Sequence, residues 1–163
     1  MDTNEVHTLI NALKSIVDEN NGIITIPDYG TYGILNLKGT NYNFYFDLNR
    51  QGHRSPKCTF QLRETKHKSD VLLRVDLFGR PHINPIGNYK YSGQEIPCPH
   101  IHLADYKDFG ISVAIPLSDP LASIKLGKSG TDDLVDCLKK VLHRINAANY
   151  KYFRYNENKN LEI

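Results

Sequence analysis

Val6, Leu9, Ile10, Leu13, Ile16 and Val17 recur at three- and four-residue intervals, the spacing of one apolar helix face. Asp2 followed by Glu5 reads as a capping box, and Asn20-Asn21-Gly22 supplies a stop, so the chain is expected to open with a helix between them. The period then falls to two. Ile23–Ile26 and Ile34–Leu37 are short strand candidates. In Tyr42–Leu48, the residues Tyr42, Phe44, Phe46 and Leu48 share one face, while Asn43, Tyr45 and Asp47 share the other. Within the strand expected over Lys57–His67, Cys58, Phe60 and Leu62 alternate with Thr59, Gln61 and Arg63. Val71, Leu73, Val75 and Leu77 alternate with Leu72, Arg74 and Asp76 over Val71–Phe78.

Gly79 to Pro99 breaks this rhythm with prolines at 81, 85, 97 and 99 and glycines at 79, 87 and 93. Proline lacks the donor a ladder needs, so a long ordered loop is expected, with room for a small hairpin around Tyr89 and Tyr91. His100–Ala104 and Ile111–Leu117 resume as strands. A second helix is expected over Thr131–Ala148, where Leu134, Val135, Leu138, Val141, Leu142 and Ile145 form the stripe. Asp132 and Asp133 sit at its positive end and Lys139, Lys140, His143 and Arg144 towards its negative end, as the helix dipole favours. The order helix, strands, helix predicts a single α+β domain over residues 1–163. It would hold an antiparallel meander of about six to seven strands, with both helices packed on one face.

Composition narrows the functional classes. The 163 residues carry 20 basic and 18 acidic side chains, a formal charge of +2, so no global field attracts polyanions. Any nucleic-acid contact must therefore be local. No apolar run is long enough to span a bilayer, and the N-terminus lacks the pattern of a secretory signal. Three widely spaced cysteines, Cys58, Cys98 and Cys137, form no C-x-x-C pair, which fits a reducing cytoplasm better than a disulfide framework. Seven histidines in an otherwise ordinary composition direct attention to where they cluster.

Alternation places Arg74 with Asp76, and His100 with His102, opposite the aliphatic residues of their strands. With Arg63 they would share the outer face of the sheet, and His82 and Asn84 could fold over it from the loop. Three readings compete. A divalent metal could be held by His100 and His102 with Asp76 or His82. Metal-free acid/base chemistry, namely ribonucleolytic transesterification, would use His82, His100 and His102 as proton donors and acceptors. Arg63 and Arg74, with Asn84 and Tyr106, would bind substrate. Third, Asp76 could simply pair with Arg74 or Arg63 while the histidines bond loop backbone.

Other features carry blander expectations. His53-Arg54 reads as a solvated hairpin tip, with a phosphate contact as the sharper alternative. His7, His67 and His143 read as surface positions. Cys98 lies near His100, but nucleophilicity would need a lowered pKa. Gly127-Lys128-Ser129 lacks the upstream glycine of a phosphate loop, since Ala122 stands there. The tail Tyr150–Tyr155 interleaves aromatic and basic residues, as single-strand nucleic-acid platforms do, yet reads better as a final strand or packed extension.

The run Leu73-Arg74-Val75-Asp76-Leu77, the His82-Ile83-Asn84-Pro85-Ile86-Gly87 segment and Pro99-His100-Ile101-His102 together resemble the central signature of a family of small uncharacterised bacterial and prophage-borne proteins. That pattern is R-x-D, then H-x-N-P-x-G, then P-H-x-H, and it covers about a third of the chain. The resemblance implies no established activity and no catalytic role. It implies company among mobile elements, where toxins, antitoxins and anti-defence proteins are frequent. The expectation is therefore a cytoplasmic, cofactor-free RNA-acting protein of the toxin kind, with RNA or a cognate protein as partner. The alternatives are a non-enzymatic antitoxin or anti-defence inhibitor using the same face and loop, and a metal-dependent hydrolase.

Overall fold

A computed structural model describes residues 1–52 and 56–157. Helix α1 (Thr3–Asn11) is followed by strands β1 (Ser15–Ile16), β2 (Ile23–Ile26), β3 (Tyr32–Lys38), β4 (Asn43–Asn49), β5 (Cys58–Glu64) and β6 (Val71–Phe78). Then come β7 (His82–Ile83), β8 (Glu95–Ile96), β9 (His100–Leu103), β10 (Ala114–Pro116), helix α2 (Leu134–Arg144) and β11 (Arg154–Glu157). The main sheet has seven antiparallel strands in the order β1-β3-β4-β5-β6-β9-β10. The expected α+β architecture is therefore present, with a meander from β3 to β6. The proline-rich segment folds as the small β7–β8 hairpin between β6 and β9. Of the aromatic-basic tail, Tyr150–Tyr152 is a 3-10 turn, and Arg154 and Tyr155 open β11, a strand parallel to β2.

One face of the sheet is apolar, because the pleat sends every second side chain to the same side. Phe44, Phe46, Leu48, Phe60, Leu62, Leu73, Val75 and Ile101 are buried there with Val6, Leu9 and Ile10 of α1 and Leu134, Leu138, Val141 and Leu142 of α2. Two irregularities in the β5–β6 ladder interrupt the simple alternation. Leu62 pairs with Leu73 but Arg63 pairs with Val71, so Leu72 is an extra residue and is buried. Val71 is thereby moved to the face of Arg63, not the aliphatic face its spacing implied.

The first helix is shorter than its periodicity predicts. Asp2 caps it by accepting from the Glu5 amide at 2.8 Å, as expected, but the helix ends at Asn11. Leu13 is exposed and Ile16 lies in an edge strand on β3. The cause is Lys14, which is wholly buried. Its Nζ donates to the carbonyls of Ile10 at 2.8 Å, Ala12 at 2.8 Å and Ile145 at 2.7 Å. These are orphan acceptors at the C-terminal ends of both helices, so one ammonium closes two helices at once. The second helix is likewise shorter than Thr131–Ala148: Asp133 caps it by accepting from the Asp136 amide, and Gly130–Asp132 ahead of it is a 3-10 turn. No helix among the described residues is long and apolar enough to cross a membrane. His53 and Arg54 lie outside the described residues.

Candidate functional site

The polar face of the sheet is organised in rows that run across the strands. Register pairs Asp47 with Gln61, Gln61 with Arg74, and Arg74 with His102. The adjacent row pairs Asn49 with Thr59, Thr59 with Asp76, and Asp76 with His100. Four strands thus deliver eight polar side chains to one surface, each by the same two-residue alternation that buries the aliphatic core. The β7–β8 hairpin covers one end of this surface and brings His82 over it. The ring of His82 lies 4.8 Å from that of His102 and 6.3 Å from that of His100, and the latter two are 5.2 Å apart. Both strand histidines are almost fully enclosed, at 1% exposure for His100 and 0% for His102.

Asp76 is the hub. Its Oδ1 accepts from Thr59 Oγ1 at 2.7 Å, and its Oδ2 lies 2.9 Å from His100 Nε2 and 3.3 Å from Arg74 Nε. Burial alone would raise this carboxyl, but the His100 contact, the Arg74 charge and the Thr59 hydroxyl hold it well below the usual carboxylate range. The two histidines are then set apart by their hydrogen bonds. At His100 both nitrogens face oxygen acceptors: Nε2 faces Asp76, and Nδ1 faces the Ile96 carbonyl at 3.2 Å. Satisfying both requires two ring protons, hence an imidazolium. Burial opposes that charge, yet the Asp76 contact and neighbouring Cys98 prevail and lift His100 to about 9.

His102 is held in the other state. Its Nδ1 lies 2.8 Å from the Ile111 carbonyl and must donate, while its Nε2 faces a donor, Arg74 Nη2, at 3.1 Å. Asp76 Oδ2 also approaches that nitrogen, but from farther away, at 3.5 Å, so the nearer guanidinium selects a neutral ring with its lone pair on Nε2. Burial and the Arg74 charge push its pKa down. At neutral pH the pair therefore presents one imidazolium, paired with Asp76, and one neutral imidazole beside it.

A cleft of about 610 Å³ opens beside this cluster. His82, His100, Arg74 and Asp76 line one end, Lys57 and Arg80 add positive charge, and Asn49, Gln51, Thr59 and Gln61 line the rest. Among the described residues, Asp76, His100 and His102 are also the set whose donor atoms converge, all within 4.8 Å, and could hold a divalent ion. Against that use, the Arg74 guanidinium stands 3.1 Å from one of the three donor atoms, where a second cation would be repelled.

The chain matches the profile of a family of unknown function, DUF6978, over residues 1–147. It belongs to that family. No curated protein and no solved structure matches the chain. Family membership covers both helices and the whole main sheet, so the histidine cluster lies within the shared region. It assigns no activity, and the chemistry of this family member has to be read from the site.

The structure brings together Arg74, Asp76, His100 and His102, named from alternation, and His82, expected to fold over them from the loop. It places the other expected substrate binders elsewhere. Arg63 shares the polar face, but its fork is engaged by Asp47, with Nε at 2.6 Å and Nη2 at 2.8 Å, while Tyr32 and Gln61 also donate to that carboxylate. Arg63 is therefore a structural clasp rather than a free phosphate binder. Asn84 is buried. Its amide donates to the Tyr91 and Ala114 carbonyls at 3.1 and 2.8 Å and accepts from the Ala114 amide at 2.8 Å. It fastens the β7–β8 hairpin to β10, with both donors used and only 2% of its surface exposed, so it is closed to a ligand. Tyr106 packs its ring edge-on to Tyr89, away from the cleft lining. His82 Nε2 donates to the Ser112 carbonyl at 2.8 Å, which fixes the ring. Cys98 Sγ lies 3.7 Å from His100 Nδ1. Thr59, Lys57, Arg80 and the amide side chains of the cleft had no place in the sequence reading. Thr59 and Gln61 alternate with the apolar residues of β5 as Arg63 does, and that signal could have found them.

Proposed function

We propose that this protein is a metal-independent, RNA-cleaving enzyme of the kind mobile elements carry as toxins, with His102 as general base and His100 as general acid. The observation that carries this is the opposed hydrogen-bond partners of two adjacent imidazoles, of which His100 lines a cleft shared with Lys57, Arg74 and Arg80 while His102 lies enclosed behind Arg74. Environments that drive two like groups to opposite protonation states mark an acid and a base. Arg74 is the movable part. An incoming phosphodiester attracts its guanidinium, and its departure from His102 Nε2 uncovers the lone pair. His102 then takes the proton of the ribose 2′-hydroxyl as the 2′-oxygen bonds to phosphorus. The bond from phosphorus to the 5′-oxygen breaks, and His100 supplies the proton that the leaving oxygen needs. Arg74 offsets the charge growing on the phosphorane, and Asp76 holds His100 in its charged form. The products are a 2′,3′-cyclic phosphate and a free 5′-hydroxyl.

The test is incubation of the purified protein with end-labelled single-stranded RNA, with and without a chelator. The expected result is chelator-insensitive cleavage to 2′,3′-cyclic phosphate ends, lost when the 2′-hydroxyl at the cut site is replaced by hydrogen. His102→Ala and His100→Ala should each lower the rate at least a hundredfold. Cleavage that depends on a divalent ion, or a stable stoichiometric complex with RNA or protein without turnover, would contradict the proposal.

A further inference from the structure

The cleft extends well beyond the histidines. From β9 it crosses β6 and β5 to reach Asn49 and Gln51 at β4, three strand spacings or about 14 Å. Acid/base chemistry on one phosphate uses only the β6–β9 end. The far end has a different character: neutral amides in Asn49, Gln51 and Gln61, beside the half-buried ring of Phe78.

The amides are already oriented. Gln61 Nε2 is committed to Asp47 Oδ2 at 2.8 Å, which leaves its Oε1 as the acceptor to face a ligand. Asn49 Oδ1 accepts from the Gln51 backbone amide at 2.9 Å, which leaves its Nδ2 as the donor. Asn49 pairs with Thr59 and Asp47 pairs with Gln61, so Asn49 and Gln61 are diagonal neighbours about 7–8 Å apart. One fixed donor and one fixed acceptor across that span suit the edge of a nucleobase, and the part of the Phe78 ring that lines the cleft, with the Arg50 guanidinium 6.0 Å from its centre, offers a stacking surface.

We propose that the amide end of the cleft is a nucleobase subsite, with Phe78 stacking on an unpaired base and Asn49 and Gln61 reading its edge. This rests on the cleft binding RNA, as argued above, and specifies the substrate as single-stranded. A base held in a duplex presents neither its face to Phe78 nor its pairing edge to the amides.

Fluorescence anisotropy with a 2′-deoxy oligonucleotide, which cannot undergo the transesterification, separates binding from chemistry. Single strands are expected to bind at least tenfold more tightly than the same sequence in a duplex. Phe78→Leu and Asn49→Ala should each weaken single-strand binding about tenfold and flatten any preference among the four bases. Gln51→Ala is the milder variant, since Gln51 is exposed, and it should weaken binding without disturbing the fold. Equal affinity for single strand and duplex, or no effect of Phe78→Leu and Asn49→Ala on well-folded protein, would overturn the subsite. If single strands bind with base preference and the ribose form is not cut, the subsite stands and the catalytic reading falls. If RNA is cut without strand or base preference, the reverse holds.

Discussion

Lys14→Met removes one ammonium while keeping most of the apolar stem that lies in the core. Lys14 is fully buried, with Nζ 4.8 Å from the centre of the Phe44 ring. Its three acceptors are backbone carbonyls of Ile10, Ala12 and Ile145, and the first and last are themselves buried. In an ordinary buried ion pair both partners can be exchanged for apolar groups at little cost. Backbone carbonyls cannot be exchanged, so the variant leaves at least two of them without a donor at about 1–3 kcal/mol each. Release of the ammonium from its buried site offsets part of this, and a net loss of about 3 kcal/mol is expected. For a domain of this length that lowers Tm by roughly 6–12 °C, measurable by circular dichroism melting and confirmed by urea denaturation. Burial and the nearby Arg144 charge push Lys14 down to about 7 from 10.5. The unfolded chain therefore binds the extra proton between those values, and the stability of the wild type relative to the variant should rise as pH increases through that window. A Lys14→Met protein as stable as wild type would refute the idea that this side chain closes both helices.

Three further outcomes follow from the site. Asp76→Asn removes the charge that lifts His100 to about 9. A raised histidine contributes stability that is full below its unfolded value near 6.5 and lost as pH rises to 9, about 3 kcal/mol in all. The stability gap between wild type and Asp76→Asn should thus be widest between about pH 4, below which the Asp76 carboxyl gains a proton in the unfolded chain, and pH 6.5, and shrink towards pH 9; a gap independent of pH would contradict the pairing. Asn84→Ala should cost about 2–4 kcal/mol in denaturant unfolding, because it leaves the buried N–H and C=O of Ala114 unpaired, whereas the Tyr91 carbonyl keeps the Gln94 amide. An unchanged stability would show that Asn84 is not the hairpin's anchor. Arg74→Gln should raise the pKa of His102 while reducing RNA affinity, read by NMR titration and anisotropy. A fall in that pKa would reverse the assigned role of the guanidinium.

The polar face was legible in the sequence because a half-buried strand has a strict period of two. Arg74, Asp76, His100 and His102 could be assigned to one side without knowing strand order. The β5–β6 bulges broke the same rule at Val71, where one inserted residue exchanged the faces. The apolar spacing through Leu13 and Ile16 suggested a longer first helix. What ends it is a bond from Lys14 to the Ile145 carbonyl, 131 residues away, and local periodicity carries no trace of such a partner. Arg63 and Asn84 failed as substrate binders for a related reason. Their residue types suit anions and hydrogen bonding, but Asp47 and the Ala114 backbone, both distant in sequence, had already taken that capacity. The protonation split of His100 and His102 was out of reach too, since it depends on which carbonyl or guanidinium each nitrogen meets.

That split is the centre of the account, and it is observable without any substrate. Long-range proton–nitrogen correlation NMR on uniformly labelled protein at pH 7.5 reports the protonation and tautomer of each ring. His100 should appear doubly protonated and His102 neutral with its proton on Nδ1, assigned through His100→Gln and His102→Gln. A neutral His100 or an imidazolium at His102 under those conditions would contradict the acid and base roles.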